Sequence, residues 1–169
     1  DGLRRLGAMA GMAGGSPAGP ARNITVSPLM KAIHEELIFI RPPNLAKHEL
    51  LDIMAAALAR GGYTKEGFLL DVYRREIIGS TLLENGAAIP HGSPGNVLKP
   101  AVAMAVLEQP LPWAEKQLAE YVFMLALQED SEPVVLSLYR LIKDRQFLYR
   151  LKQLSSPAEV KQAFLEHLI

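Results

Sequence analysis

Between Pro28 and Ile169 the spacing of apolar residues changes period several times, which predicts mixed α and β structure. "SPLMKAIHEEL" reads as a short helix with Ser27 at its N-cap and Pro28 in its first position. "IFI" at 38–40 is a short β-favouring run, closed by Pro42 and Pro43. In "NLAKHELLDIMAAALARGG" the residues Leu50, Ile53, Met54, Ala57 and Leu58 share one helical face; Asn44 is its candidate cap and Gly61-Gly62 its stop. "TKEGFLLDVYRREII" predicts a second amphipathic helix, with Thr64 as a candidate cap. The short apolar runs "AAI" at 87–89, "AVAMAVL" at 101–107, "LPW" at 111–113 and "YVFMLAL" at 121–127 predict strands. The C-terminal part is helical again: "EPVVLSLYRLIKD", "RQFLYRLKQL" and "SPAEVKQAFLEHLI", the last with Ser156 and Pro157 as a start signal.

Helices first, strands in the middle and helices last, with strands that lack polar alternation, describe a sheet buried on two sides. The expected fold is a compact α/β sandwich, a small sheet of mixed strand direction flanked by helices on both faces. This domain spans 28–169. Residues 1–27 read as a flexible linker or tail, because "GAMAGMAGGSPAGPAR" at 7–22 buries little and costs much entropy to order. With Asp1 in first place and no methionine there, the chain reads as processed or cut from something larger, the linker leading to a further domain.

Composition narrows the function classes. With 169 residues, 49% of them apolar, one core forms without staples. The formal net charge is zero and no basic run appears, so no direct nucleic-acid binding is expected. The lack of cysteine excludes disulfides, thiolate metal sites and a cysteine nucleophile, and agrees with a cytoplasmic location. The longest apolar stretch, around 119–127, is too short to span a bilayer, so no membrane insertion is expected. There is no phosphate loop, dinucleotide fingerprint, zinc motif or G-x-S-x-G turn, and neither cofactor nor metal is expected.

Histidine is the remaining candidate. His34, His48 and His167 lie on predicted amphipathic helices beside Glu or Lys and read as solvated. His91 differs: in "STLLENGAAIPHGSPG" it follows a short apolar strand and a stiff Pro90, and Gly92, Ser93 and Gly95 keep its surroundings open. Open α/β sheets place ligands beyond such strand ends. Imidazole is a competent nucleophile near neutral pH because much of it is unprotonated there. Context alone leaves ligand, base, nucleophile and turn residue open.

The stretch "YRREIIGSTLLENGAAIPHG", preceded by "LARGGYTKEGFLL" and followed by "VLKPAVAMAVLEQPLPW", resembles the enzyme IIA domain of the mannitol/fructose type from the bacterial sugar phosphotransferase system. The resemblance covers roughly Leu29 to Ile169, and the "GAAIPHG" box with the upstream "RE…ST" element carries it. It implies a phosphotransferase component in which His91 accepts a phosphoryl group from phospho-HPr and passes it to an enzyme IIB domain. Arg75, sixteen residues before His91, matches the arginine that stabilises the phosphate, and Thr81 matches a threonine of the same pocket. Ser93 and backbone N–H groups after His91 are further candidate donors, while Arg74 reads as a solvated helix arginine. The chain departs from transporter members at Pro133, where many carry a second histidine. "FMLALQEDSE" instead resembles IIA-like domains at the C-terminus of sugar-responsive transcriptional regulators and antiterminators. The resemblance therefore implies, first, a regulatory module that signals to an attached or partner regulator domain, and second, a phosphocarrier that feeds enzyme IIB in fructose- or mannitol-type uptake. A binding module without phosphorylation is the third reading.

Overall fold

The computed structural model describes residues 26–168, so the linker expected at 1–27 lies almost wholly outside the described residues. Helix α1 (Pro28–Ala32) leads directly into strand β1 (Ile33–Ile40), then come α2 (Lys47–Arg60) and α3 (Phe68–Ile78). Strands β2 (Ala87–Ala88), β3 (Ala101–Ala114) and β4 (Gln117–Ala126) follow. Helices α4 (Glu132–Lys143), α5 (Arg145–Gln153) and α6 (Pro157–Leu168) end the chain. The sheet has the order β1-β3-β4-β2. β1 runs parallel to β3, β3 antiparallel to β4, and β2 parallel to β4.

The sheet is covered on both faces, as its apolar strands require. Val102, Met104, Val106, Phe123 and Leu125 face α1, α4, α5 and α6. On the other face Ala101, Ala103, Ala105 and Ala126 are small, and α2 and α3 lie over them through Leu50, Met54, Leu58, Phe68 and Val72. Each of the fully buried large side chains Leu50, Met54, Leu58 and Phe68 contributes roughly 1.5–3 kcal/mol by leaving water.

Several elements differ from the expected ones, each for a local reason. The first helix stops at Ala32 rather than running through Leu37, because Ile33 already pairs with Val102 in the sheet. A bulge between Ile33 and Ile38 lets Ile33 and Ile38 bury on one face and Leu37 on the other. His34 is thus a strand residue. The runs 101–107 and 111–113 are one strand: β1 stops pairing at Val106, so beyond it β3 has a free outer edge that tolerates Pro110 and Pro112. α2 starts at Lys47, with the Ala46 N–H donating to Glu49 Oε1 at 2.8 Å, and Asn44 does not cap it. α3 starts at Phe68; Thr64 instead bridges Val97, and Lys65 N donates to Asn96 O at 2.8 Å. This zipper ties the segment before α3 to the loop that follows His91.

Candidate functional site

β2 is only two residues long, yet it aims the histidine. Beyond Ala88 the chain stays beside β4: Leu125 N donates to Pro90 O at 2.9 Å, and His91 forms a parallel bridge with Leu125. The ring of His91 is anchored by its own backbone, Nδ1 lying 2.9 Å from Ile89 O. A carbonyl oxygen can only accept, so in the neutral ring Nδ1 carries the proton and Nε2 the lone pair.

Gly92 is required by close packing. A Cβ there would stand 2.7 Å from Phe68 Cδ1 and Cε1, and 3.1 Å from Phe68 O. The histidine loop therefore rests directly on the first turn of α3.

His91 lies between two clefts. One, of about 410 Å³, runs between the loop and α3 and is lined by Asp71, Arg74, Arg75, Ile78, His91 and Ser93 among others. The other, of about 540 Å³, opens towards α4, with an apolar wall of Ile89, Leu125, Leu127, Val135 and Leu136 and the acidic rim residues Glu129, Asp130 and Glu132. The clefts differ in charge: cationic towards α3, acidic and apolar towards α4.

Arg75 sits in the last turn of α3, where its Nη1 donates to Gly79 O at 2.7 Å. That bond caps its own helix and holds the guanidinium at the cleft, using one of five N–H donors. Ser93 is exposed beside it. Thr81 is placed differently. It is 3% exposed, its hydroxyl donates to Glu76 Oε2, and it is not among the residues that line either cleft. Glu76 in turn receives Lys47 Nζ at 2.8 Å, with its own side chain only 6% exposed. Thr81 thus locks the end of α3 to the strand that carries His91.

The sequence reading did not single out three residues of this site. Arg74, read as merely solvated, lines the cleft beside Arg75. Asp71 Oδ2 accepts from Asn96 Nδ2 at 2.6 Å and from Ser93 N at 3.3 Å, so α3 grips the loop after His91. These bonds, the Asn96 amide first, hold the Asp71 carboxyl below the usual aspartate range. A helical signal was available, since positions 71, 74, 75 and 78 fall on one face at spacings of three and four.

The other histidines lie elsewhere. His34 stacks on Tyr63 with ring centroids 4.9 Å apart, and burial lowers its pKa. His48 is exposed on α2, and His167 Nε2 lies 3.2 Å from Asp144 Oδ2. Pro133 stands in the first turn of α4. Among the described residues no group of three His, Cys, Asp or Glu is placed to hold a metal, and no helix is long and apolar enough to cross a membrane.

Solved structures share this architecture. IIA mannitol from Escherichia coli superposes with a TM-score of 0.68 at 25% identity, covering 76% of this chain and 96% of that one. A complex of enzyme IIA and phosphorylated enzyme IIB of the mannitol system from Escherichia coli matches with a TM-score of 0.71 at 24% identity, covering 79% of this chain and 96% of that one. The fold is thus that of mannitol-type IIA domains. The sequence takes the identification further: residues 31–167 match the family "Phosphoenolpyruvate-dependent sugar phosphotransferase system, EIIA 2", and the chain belongs to it. Domains of this family are phosphotransfer components. Among curated relatives, Transcriptional regulator ManR of Bacillus subtilis is 28% identical over 103 residues, 61% of this chain and 16% of the relative. The Multiphosphoryl transfer protein of Salmonella typhimurium is 32% identical over 119 residues, 68% of this chain and 32% of the relative. The 2-O-alpha-mannosyl-D-glycerate-specific EIIABC component of Escherichia coli is 35% identical over 82 residues, 47% of this chain and 12% of the relative. The chain spans a third or less of the length of each of these three relatives.

Proposed function

We propose that His91 is the phosphoryl acceptor of this domain and that phospho-HPr is the donor. Nε2 attacks the phosphorus in line; the Nε2–P bond forms as the donor's bond to phosphorus breaks, and the donor leaves with that electron pair. The observation that carries this reading is the Nδ1–H bond to Ile89 O, which fixes the tautomer with Nε2 unprotonated beside an arginine-lined cleft. The same bond stabilises the positive charge that grows on the ring as Nε2 binds phosphorus. Phosphoryl transfer is mostly positioning and charge stabilisation. Arg75 supplies a planar, permanent charge for the phosphoryl oxygens, Arg74 a second, and Ser93 a hydroxyl. Thr81 contributes through Glu76, by holding α3 and the histidine strand together.

The receiver of the signal is a sugar-responsive transcriptional regulator, attached or associated, in the cytoplasm. Pro133 in place of a second histidine, together with similarity to ManR and to the Probable licABCH operon regulator of Bacillus subtilis, supports a regulatory module. A phosphoryl group adds up to about two negative charges between the two clefts, enough to change which partner docks there. The second reading, relay to enzyme IIB, is favoured by the EIIABC relative and by the IIA–IIB complex with the same fold.

Incubation with enzyme I, HPr and phosphoenolpyruvate is expected to label the domain, and His91→Ala to abolish labelling; label surviving in that variant overturns the assignment. Arg75→Ala is expected to slow transfer about 10²- to 10³-fold, as the loss of one oxyanion donor does elsewhere, with the fold intact. An unchanged rate removes Arg75 from the site. Offering the phosphorylated domain to enzyme IIB separates the two readings.

A further inference from the structure

We infer that Asp71 is a positioning residue for phosphoryl transfer: by accepting from the Ser93 N–H it clamps the loop from Gly92 to Asn96 against α3, so that the Ser93 hydroxyl sits in the cleft where the phosphoryl group on His91 is received. This inference rests on His91 being the acceptor.

The loop is held unevenly. Its far end is zipped by backbone bonds: Lys65 N donates to Asn96 O at 2.8 Å, Leu98 N to Tyr63 O at 2.7 Å, and Thr64 bridges Val97. Its near end is held at His91, which bridges Leu125, and at Gly92, which packs on Phe68, but among the described residues no backbone bond ties Ser93 or Pro94 to another element. The turn Pro94–Asn96 closes on itself through Asn96 N to Ser93 O and Val97 N to Pro94 O, both at 3.0 Å, which shapes the turn without fixing it to the domain. The hydrogen bond that joins Ser93 to α3 comes from the Asp71 carboxylate, which accepts from Ser93 N and from Asn96 Nδ2 on one oxygen.

Asp71 is well placed for this. It stands one helical turn before Arg75 on the same face of α3, so one helix fixes both the phosphate-binding arginine and the loop opposite it. A carboxylate in a cleft meant for an anion is unfavourable unless its charge is engaged. Here the bond from Asn96, the bond from Ser93 and the neighbouring Arg74 engage it. Asn96 packs over Gly67, whose Cβ would come within 2.9 Å of Asn96 Nδ2, so the amide is held at the start of α3. The clamp therefore sets the width of the cleft without contacting the phosphoryl group.

The test compares Asp71→Ala, Asp71→Asn and Asn96→Ala in single-turnover transfer from phospho-HPr, with wild type and His91→Ala as controls. Asp71→Ala is expected to lower the transfer rate at saturating donor about tenfold while the apparent KM for phospho-HPr and the melting temperature stay near wild type, because the docking rims and the core are untouched. Asp71→Asn, whose Oδ1 still accepts both bonds, is expected to recover the rate to within about threefold. Asn96→Ala is expected to fall between the two. The Ser93 amide resonance, followed by NMR, should shift and lose exchange protection in Asp71→Ala and not in Asp71→Asn. A wild-type rate in Asp71→Ala, failure of Asp71→Asn to restore transfer, or parallel changes in KM and melting temperature overturns the clamp. Labelling of the His91→Ala control instead overturns the underlying reading and leaves no acceptor for Asp71 to serve.

Discussion

Gly92→Ala tests how tightly the histidine loop is bound to α3. The added Cβ would stand 2.7 Å from two ring carbons of Phe68 and 3.1 Å from its carbonyl oxygen. Carbon–carbon contacts are favourable at about 3.5–4.0 Å, so roughly 1 Å of overlap must be relieved. Phe68 is 1% exposed and belongs to the core layer under α2, so its ring has no free space to enter. Relief must come from the loop, and Gly92 adjoins His91. Forcing a methyl into such a contact costs about 1–3 kcal/mol. For a domain of this size 1 kcal/mol moves the melting temperature about 2–4 °C, which gives a fall of about 2–12 °C by calorimetry. The phosphorylation rate should drop as well, because the Nδ1 bond to Ile89 O depends on the same loop. Shortening the ring partner relieves the clash, so Gly92→Ala combined with Phe68→Leu should be less destabilising than the two single changes together, by about 0.5–3 kcal/mol. Gly92→Ala melting at the wild-type temperature, or strict additivity in the double variant, refutes the packing argument.

Two further perturbations probe other parts of the molecule. Leu136 on the apolar wall of the α4-side cleft is 55% exposed, so Leu136→Asp should leave stability within about 0.5 kcal/mol. It should raise the apparent KM for phospho-HPr several-fold with little change in the rate at saturation; an unchanged KM removes this wall from the docking face. Asp144 caps α5 by accepting from Gln146 N and Phe147 N at 3.1 Å each, and Asp144→Ala should cost about 0.5–2 kcal/mol at pH 7. The Phe147 N–H first, then the His167 ring, lower the Asp144 pKa in the folded state. The cap's contribution is therefore complete above the ordinary aspartate value, about 3.9, and fades as pH falls through the lower folded value. Chemical denaturation at pH 7 and near pH 3 should show the wild-type advantage over Asp144→Ala shrinking at acid pH; a constant or growing advantage contradicts the sign.

Much of this was legible in the residues because apolar spacing reports burial. The uninterrupted "AVAMAVL" run became the centre of a sheet with both faces covered, and the start signal at Ser156 and Pro157 became a real cap: Glu159 N donates to Ser156 Oγ at 3.2 Å, and Glu159 Oε1 accepts from Ser155 N at 3.1 Å. The misplaced boundaries are those that tertiary pairing decides. "AIHEEL" has helical spacing, but the edge of β3 claims Ile33 from the helix, and no local pattern announces a partner seventy residues away. Asn44 and Thr64 have capping side chains, yet Glu49 serves the first helix end, and pairing with Val97 engages Thr64.

The site shows the same division between what is local and what is not. The spacing of Arg75 from His91 lies within the chain, whereas the Asp71 clamp depends on which face of α3 turns toward the loop. Hydrophobicity misdirects that choice: Ile77 and Ile78 are apolar but 84% and 82% exposed, while Phe68 and Val72 alone on α3 are buried. Ile78 also lines the arginine cleft, and Leu136 stands on the wall of the opposite cleft, with His91 lining both. Apolar spacing reports burial only where the core claims the apolar residues, so on α3 it marks Ile77 and Ile78 and leaves Asp71, Arg74 and Arg75 unmarked.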